Sequence, residues 1–179
     1  MRWMATVLAG AAPVLLAGCG RVLSVNPLYT DATSAMEPAL AGVWEQDDGS
    51  GILVVRDTDK NTYSVVIVPT EQGSDVQAFD VRLVRIGGLL FADCIERRDA
   101  DIPGHMLALV TLAEDKLQVA LPDEDWLKSE KPDFPVPAHN FNDKTLILTA
   151  PTVEVERFMV RCAATSSCFG QPGILHRLK

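Results

Sequence analysis

The dipeptide Gly87-Gly88 constrains the fold of this chain most strongly, because it fixes one strand pair in register. Both residues can adopt positive φ, which the favoured two-residue hairpin turns require. The preceding residues, 79–83, alternate between apolar and polar side chains with a period of two. This alternation is typical of a half-buried strand. The sequence therefore predicts an antiparallel hairpin that turns at 87–88.

A two-residue turn at this position determines which residues face each other across the hairpin. It places Val81 opposite Cys94 and Arg82 opposite Asp93. The opposed charges of Arg82 and Asp93 predict a cross-strand ion pair that contributes about 0.2–1 kcal/mol. Cys94 falls on the same face as Val81 and Leu83, so we expect that face to lie in the core.

Similar short apolar runs, separated by turn residues, recur along most of the chain. They predict strands at 42–44, 51–56, 62–68, 105–112, 117–121, 144–149 and 174–178. A proline and acidic residues predict a short helix near 123–130. The spacing of Val155, Phe158, Met159 and Cys162 predicts an amphipathic helix over 152–163, before the last strand. The fold class is therefore mainly β: an antiparallel, barrel-like or strongly curled sheet of about eight to ten strands.

The N-terminus carries a different pattern. One basic residue, Arg2, precedes an uncharged apolar run from Met4 to Leu16, the layout of an export signal. The run is too short to span a bilayer, which takes about 20 apolar residues. It closes with Leu16-Ala17-Gly18-Cys19, which resembles the lipobox of bacterial lipoproteins. The resemblance implies cleavage between Gly18 and Cys19 and a diacylglyceryl thioether on Cys19.

The chain accordingly divides into three predicted parts: a lipoprotein signal peptide (1–18), a lipidated tether (19–38) and a single β domain (39–179). In the enterobacterial sorting rule that this resemblance implies, Asp after the lipidated cysteine retains a lipoprotein in the inner membrane. Gly20 stands there instead, so we expect a lipid anchor on the periplasmic face of the outer membrane. The net charge of −8 argues against nucleic acid as a partner and against electrostatic docking on anionic lipid.

Three cysteines remain beside Cys19, and export would bring them to a compartment that favours disulfides. Cys162 and Cys168 lie six positions apart, so a disulfide between them would join the end of the predicted helix to the loop before the last strand. Two alternatives stay open at the sequence level. Both cysteines are free, or Cys162 pairs with Cys94.

A glycine, a tryptophan and an arginine form the second resemblance. Gly42-x-Trp44 lies in the first predicted strand of the domain, and Arg177 lies near its end, after a helix. This pattern resembles that of the lipocalins, so the domain over 39–179 is predicted to be lipocalin-like. The resemblance implies a barrel whose floor is closed by Trp44, with Arg177 packed over it. The interior of such a barrel is either open to one small apolar ligand or filled by its own side chains.

The remaining polar residues show no catalytic pattern. His105, His139 and His176 have no metal-ligand spacing to one another or to cysteine, so we expect no metal and no cofactor. We therefore expect a non-catalytic protein, anchored to the membrane, with a structural or interaction role toward other envelope proteins. The alternative is a lipocalin-like carrier of a small apolar ligand.

Overall fold

The computed structural model describes residues 21–46, 51–58, 61–69, 75–97, 104–129, 138–141 and 145–178. The predicted cleavage site at Gly18 and Cys19, and the proline-rich loop at 132–137, lie outside these ranges. The helices are α1 (Glu124–Ser129) and α2 (Thr152–Ala163). The strands are β1 (Arg21–Ser24), β2 (Ser34–Ala35), β3 (Gly42–Gln46), β4 (Gly51–Thr58), β5 (Thr62–Pro69), β6 (Gln77–Ile86), β7 (Leu89–Glu96), β8 (His105–Leu112), β9 (Lys116–Ala120), β10 (Ala138–Phe141), β11 (Thr145–Leu148) and β12 (Gly173–Arg177).

The strands form one mainly antiparallel sheet, which confirms the predicted mainly-β class. Their spatial order is β10-β11-β1-β8-β7-β6-β5-β4-β3-β12-β9, and β2 pairs with β6. β9 also pairs with β8, through Leu109–Ala120 to Leu112–Leu117. The described strands number twelve, more than predicted, because β1, β2 and β10 lie in segments that we expected to be tether or loop.

The hairpin at 87–88 has the predicted geometry. Gly87 and Gly88 have φ angles of 59° and 82°, which most other residues adopt only with strain. The register pairs Val81 with Cys94 and Arg82 with Asp93, as predicted. The two-residue turn therefore sets the register of the β6–β7 pair, which extends over eight partner positions.

The two faces of the sheet support two separate hydrophobic cores. The first core contains large side chains from several strands, including Trp44, Tyr63 and Phe79, and Cys94 packs against it. The second core lies between the other face of β6–β8 and α2. The predicted stripe of α2 is buried there: Val155, Phe158, Met159 and Cys162. The predicted helix at 152–163 is confirmed with the same bounds.

The segment predicted to be a tether is packed against the sheet from Arg21 onward. β1 lies between β8 and β11, and β2 adds to β6. We call residues 24–35, which cross the outer face of β7 between these two strands, the N-terminal strap. Leu28 in the strap is fully buried in the second core. We predicted a free tether over 19–38, but the described residues of this segment, 21–38, are packed against the sheet.

The strap also changes the partners of Asp93. We predicted an ion pair with Arg82, but Asp93 accepts a hydrogen bond from the Leu28 N–H (2.7 Å) and bonds to Nδ1 of His105 (2.6 Å). Arg82 lies instead over the ring of Tyr29 in the strap, 4.1 Å from its centroid. Asp93 is only 1% exposed, and the strap supplies the backbone donor that a buried carboxylate needs.

Candidate functional site

An apolar cavity of about 90 Å³ lies within the first core. Its wall is built from every strand from β4 to β9 and from Leu40, in the 3-10 turn Pro38–Leu40. The lining residues are apolar: Leu40, Val55, Val65, Ile67, Phe79, Val81, Leu83, Ala92, Cys94, Met106, Ala108, Val110, Leu117, Val119 and Leu121. Such a wall offers dispersion and hydrophobic contact to a ligand but no strong hydrogen bond.

Two alanines that face each other on neighbouring strands have short side chains and so leave room for the cavity. Ala92 on β7 and Ala108 on β8 are direct register partners and both point into the cavity. Most other lining positions carry larger side chains. If Ala92 and Ala108 were equally large, the interior would be filled and the cavity would close. Sequence reasoning missed this pair. The signal that would have found it is the recurrence of alanine at the inward position of two adjacent strands.

Cys94 contributes a thiol to the wall and is the free cysteine of the described residues. Burial, and to a smaller extent the neighbouring charge of Asp93, together raise its pKa from the ordinary value of 9.0 to about 12. The thiol is therefore neutral at physiological pH and acts as a small apolar group. Its cross-strand partner Met106 also lines the cavity, so two sulfur-containing side chains lie side by side there.

The three residues of the lipocalin-like pattern meet at one end of the sheet. The Arg177 guanidinium lies 4.2 Å from the centroid of the Trp44 ring, and the two residues are register partners on β12 and β3. Trp44 is fully buried, and its indole N–H donates to the Leu40 carbonyl oxygen (2.9 Å). Gly42 has φ 155°, and a Cβ atom at this position would lie 2.4 Å from Nη1 of Arg177. Only glycine allows this close approach.

Arg177 also joins separate backbone segments at this end. Its guanidinium donates to the carbonyl oxygens of Ala41 (3.0 Å), Glu114 (3.3 Å) and Ala39. It thereby links the 3-10 turn, the β8–β9 turn and β12. We call this the Arg177 end of the sheet. β8 begins at the opposite end, which we call the His105 end.

Cys162 and Cys168 form a disulfide, with a Cα–Cα distance of 5.3 Å. Both residues are fully buried in the second core. The bond connects the last turn of α2 to the segment that leads into β12. The backbone of Cys168 accepts a hydrogen bond from Asp123 (2.8 Å), so the disulfide also lies beside the start of α1.

The histidines are separated in the structure. His105 bonds to Asp93 under the strap, His139 belongs to β10, and His176 is exposed on β12. Ser24 lies opposite His105 in the β1–β8 register, but its hydroxyl donates to the Asn26 carbonyl oxygen (2.6 Å). This serine is fully buried and already bonded, so the arrangement serves to hold the strap.

The described part of the chain contains no group of three His, Cys, Asp or Glu side chains with the geometry to hold a metal ion. In the same ranges, neither helix has the length and apolar character needed to cross a bilayer.

Of the residues singled out from the sequence, the structure brings together Gly42, Trp44 and Arg177, and it also brings together Cys162 and Cys168. Gly18 and Cys19 lie outside the described residues.

The chain was compared with protein-family models, with curated proteins and with solved structures. None of the three comparisons found a match.

Proposed function

We propose that this protein binds a small apolar ligand inside an eight-stranded, lipocalin-like barrel. The observation that carries the proposal is the apolar cavity of about 90 Å³. The barrel is supported by the pairing pattern: β3 to β9 pair in succession, and β12 pairs with both β9 and β3. The Arg177–Trp44 contact supports closure at one end of such a barrel.

The size of the cavity favours a ligand over a purely packed interior. Well-packed cores contain few voids larger than a water molecule, which needs about 10–15 Å³. A ligand that fills the space removes its own apolar surface and that of the wall from water, which contributes about 25 cal/mol per Å² of buried apolar area. An apolar cavity of about 150 Å³ binds benzene, so this smaller space matches a short hydrocarbon segment of fewer carbons.

A titration with n-butane or xenon, followed by NMR chemical shifts of the cavity methyl groups, tests the proposal on the full chain with probes that are smaller than benzene. We expect the shifts to saturate at one bound probe for each protein. Ala108→Leu places a larger side chain in the cavity and should abolish most of this binding, because Ala108 lines the wall. Thr111→Leu on the same strand is the matched control, since Thr111 is exposed on the other face. Equal binding by the two variants would contradict an internal site.

A structural or interaction role toward envelope proteins, without a ligand, is the second candidate. It is favoured if both variants and the unaltered protein show no saturable binding. We retain the sequence-based prediction that the protein is not an enzyme, which rests on the lack of a catalytic motif in the sequence.

The proposed location is the periplasmic face of the outer membrane, through lipid on Cys19. The apolar leader and the Leu16–Cys19 motif support an anchor, and Gly20 supports the outer membrane. The Cys162–Cys168 disulfide is consistent with an oxidising compartment. Mass spectrometry of the N-terminal peptide tests the anchor. We expect an acylated peptide that begins at Cys19, and an unmodified peptide that begins upstream would refute it.

A further inference from the structure

We propose that the ligand of the cavity is a short-chain primary amine, whose hydrocarbon chain fills the apolar space and whose cationic head group lies at the His105 end beside Glu96. This inference rests on the proposed ligand-binding function and adds the chemical class of the ligand. It is carried by three observations: the polar side chains that continue the cavity wall at the His105 end, the bonding of the polar groups at the Arg177 end, and the charges around the His105 end.

The first observation is a pair of polar side chains that continue the cavity wall at the His105 end. Gln77 on β6 is the register partner of Ile67, and Glu96 on β7 is the register partner of Phe79. Both partners line the cavity, and register partners in an antiparallel pair point to the same face of the sheet. Gln77 and Glu96 are half-buried diagonal neighbours, with a typical Cα–Cα distance of about 7–8 Å. We call this pair the polar rim.

The polar rim is rich in hydrogen-bond acceptors. Glu96 supplies carboxylate oxygens and Gln77 supplies an amide oxygen. Glu96 already interacts within the protein, but a carboxylate has about four acceptor positions and can accept from a ligand as well. Bonds between a charged donor and a carboxylate are roughly twice as strong as neutral ones. A protonated amine, which only donates, is therefore the head group that complements the rim.

The second observation is that the polar side chains at the Arg177 end are bonded within the protein. The Trp44 indole and the Arg177 guanidinium donate to backbone carbonyl oxygens, at 2.9 and 3.0 Å. The Tyr63 hydroxyl accepts a hydrogen bond from the Glu37 N–H (2.8 Å). A polar head group placed at this end would break such bonds or go without a partner, at a cost in free energy. The chain of the ligand therefore points to the Arg177 end and its head group to the polar rim.

The third observation concerns the charges around the His105 end. In the described strands, no inward position at this end carries a lysine, an arginine or a histidine. Arg97 directly follows β7, but its Nε donates to Asp80 on the other face of β6 (2.9 Å). The segments that connect strands at this end, 47–50, 70–76 and 97–104, carry six acidic residues and two arginines in the sequence. This balance favours a cationic ligand over an anionic one.

Titrations of the full chain with n-butylammonium and with pentanoate test the proposal. The two probes share the same butyl chain and carry opposite charges at neutral pH. Binding is followed by NMR chemical shifts of the cavity methyl groups, with n-butane as the reference for the cavity itself. We expect n-butylammonium to bind about tenfold more tightly than pentanoate, as one charge-assisted hydrogen bond would provide.

Glu96→Gln tests whether the polar rim causes this preference. Glu45→Gln is the matched control, because it removes the same charge from a half-buried glutamate on β3. Glu45 follows the inward Trp44 in the strand, so it lies on the outer face. We expect Glu96→Gln to remove most of the preference for n-butylammonium and to leave the binding of n-butane unchanged. Glu45→Gln should retain the preference.

The outcomes separate this inference from the proposed function. If n-butane binds but pentanoate binds as tightly as n-butylammonium, the class of ligand is overturned and the cavity remains a binding site. An equal loss of preference in both variants would also overturn it, since the overall charge and not the polar rim would then be the cause. If neither n-butane nor n-butylammonium shows saturable binding, the proposed function fails and the class of ligand fails with it.

Discussion

Residues Gly42, Trp44 and Arg177 show how a short sequence pattern can mark a three-dimensional contact. Trp44 supplies a buried aromatic face, Arg177 supplies a planar cation that packs on it, and Gly42 leaves the room for that cation. The pattern was recognisable in the sequence because each residue type meets a requirement that few other types meet. The carbonyl partners of Arg177 were not predictable, since they belong to turns whose positions depend on the fold.

Replacement of Arg177 by alanine should destabilise the protein by about 2–5 kcal/mol, because the partly buried hydrogen bond to Ala41 contributes about 1.5–3 kcal/mol and the cation–π contact about 0.5–2 kcal/mol. The bonds to Glu114 and Ala39 are exposed and add little. Arg177→Lys should restore only part of this loss, since an ammonium cannot reproduce the planar guanidinium. Chemical denaturation measures both effects. Arg157→Ala is the control, because Arg157 is exposed on α2. Similar values for Arg177→Ala and Arg157→Ala would contradict the role assigned to the contact.

The thiol of Cys94 leads to a prediction about pH. Its pKa is raised to about 12 in the folded protein, mainly by burial, against an ordinary value of 9.0. The folded state therefore keeps this proton between pH 9 and 12 while the unfolded state releases it. The free energy of unfolding should fall as pH rises through this range, by at most about 1.4 kcal/mol per pH unit.

Denaturation of the unaltered protein and of Cys94→Ala, measured side by side from pH 8 to pH 11, isolates this contribution. The alanine variant retains every other titrating group, so the two curves should converge as pH rises. Parallel curves over the whole range would show that Cys94 has the same pKa in both states.

At the scale of the elements, local patterns predicted most of the sheet and both helices. The Gly87-Gly88 turn determined a register, and the stripe on α2 determined which face of the helix is buried. These predictions succeeded because period and turn geometry are local properties. The partners of Asp93 were mispredicted because the competing group, the Leu28 N–H, lies 65 positions away in sequence.

Asp93 is therefore expected to hold the strap on β7. Asp93→Ala would leave a buried N–H and the His105 ring without their partner, and it should destabilise the protein by about 3–5 kcal/mol. Hydrogen exchange at the Leu28 amide should become faster. Asp80→Ala is the control, because Asp80 forms an exposed ion pair with Arg97 on the same sheet. Such pairs contribute at most about 1 kcal/mol. Unchanged exchange at Leu28 would refute the proposed role.

At the scale of the whole molecule, the N-terminal strap was the element that the sequence concealed. β1 has four residues and pairs in parallel with β11, more than a hundred positions later in the chain. Turn residues such as Asn26-Pro27 interrupt any periodicity in this segment. Short strands that depend on such distant partners leave no local signal. The cavity was concealed for a related reason, since Ala92 and Ala108 acquire meaning only when two strands are placed side by side.

The strap leads to a prediction about the boundary of the domain. A protein that begins at Ala39 would keep every strand from β3 to β12 but would lack β1, β2 and the strap. Phe91, Leu107 and Val84, which are buried in the second core, would lose the cover of Leu28 and Val22. Burial of a large apolar side chain contributes about 1.5–3 kcal/mol, so the loss of Leu28 and Val22 alone removes a large part of the stability of a typical domain.

We expect the protein that begins at Ala39 to melt at a much lower temperature than the full chain and to bind a fluorescent probe of exposed apolar surface. A protein that begins at Arg21 should melt like the full chain, because it retains the strap. If the proteins that begin at Ala39 and at Arg21 unfold at the same temperature, residues 21–38 act as a tether and not as part of the folded domain.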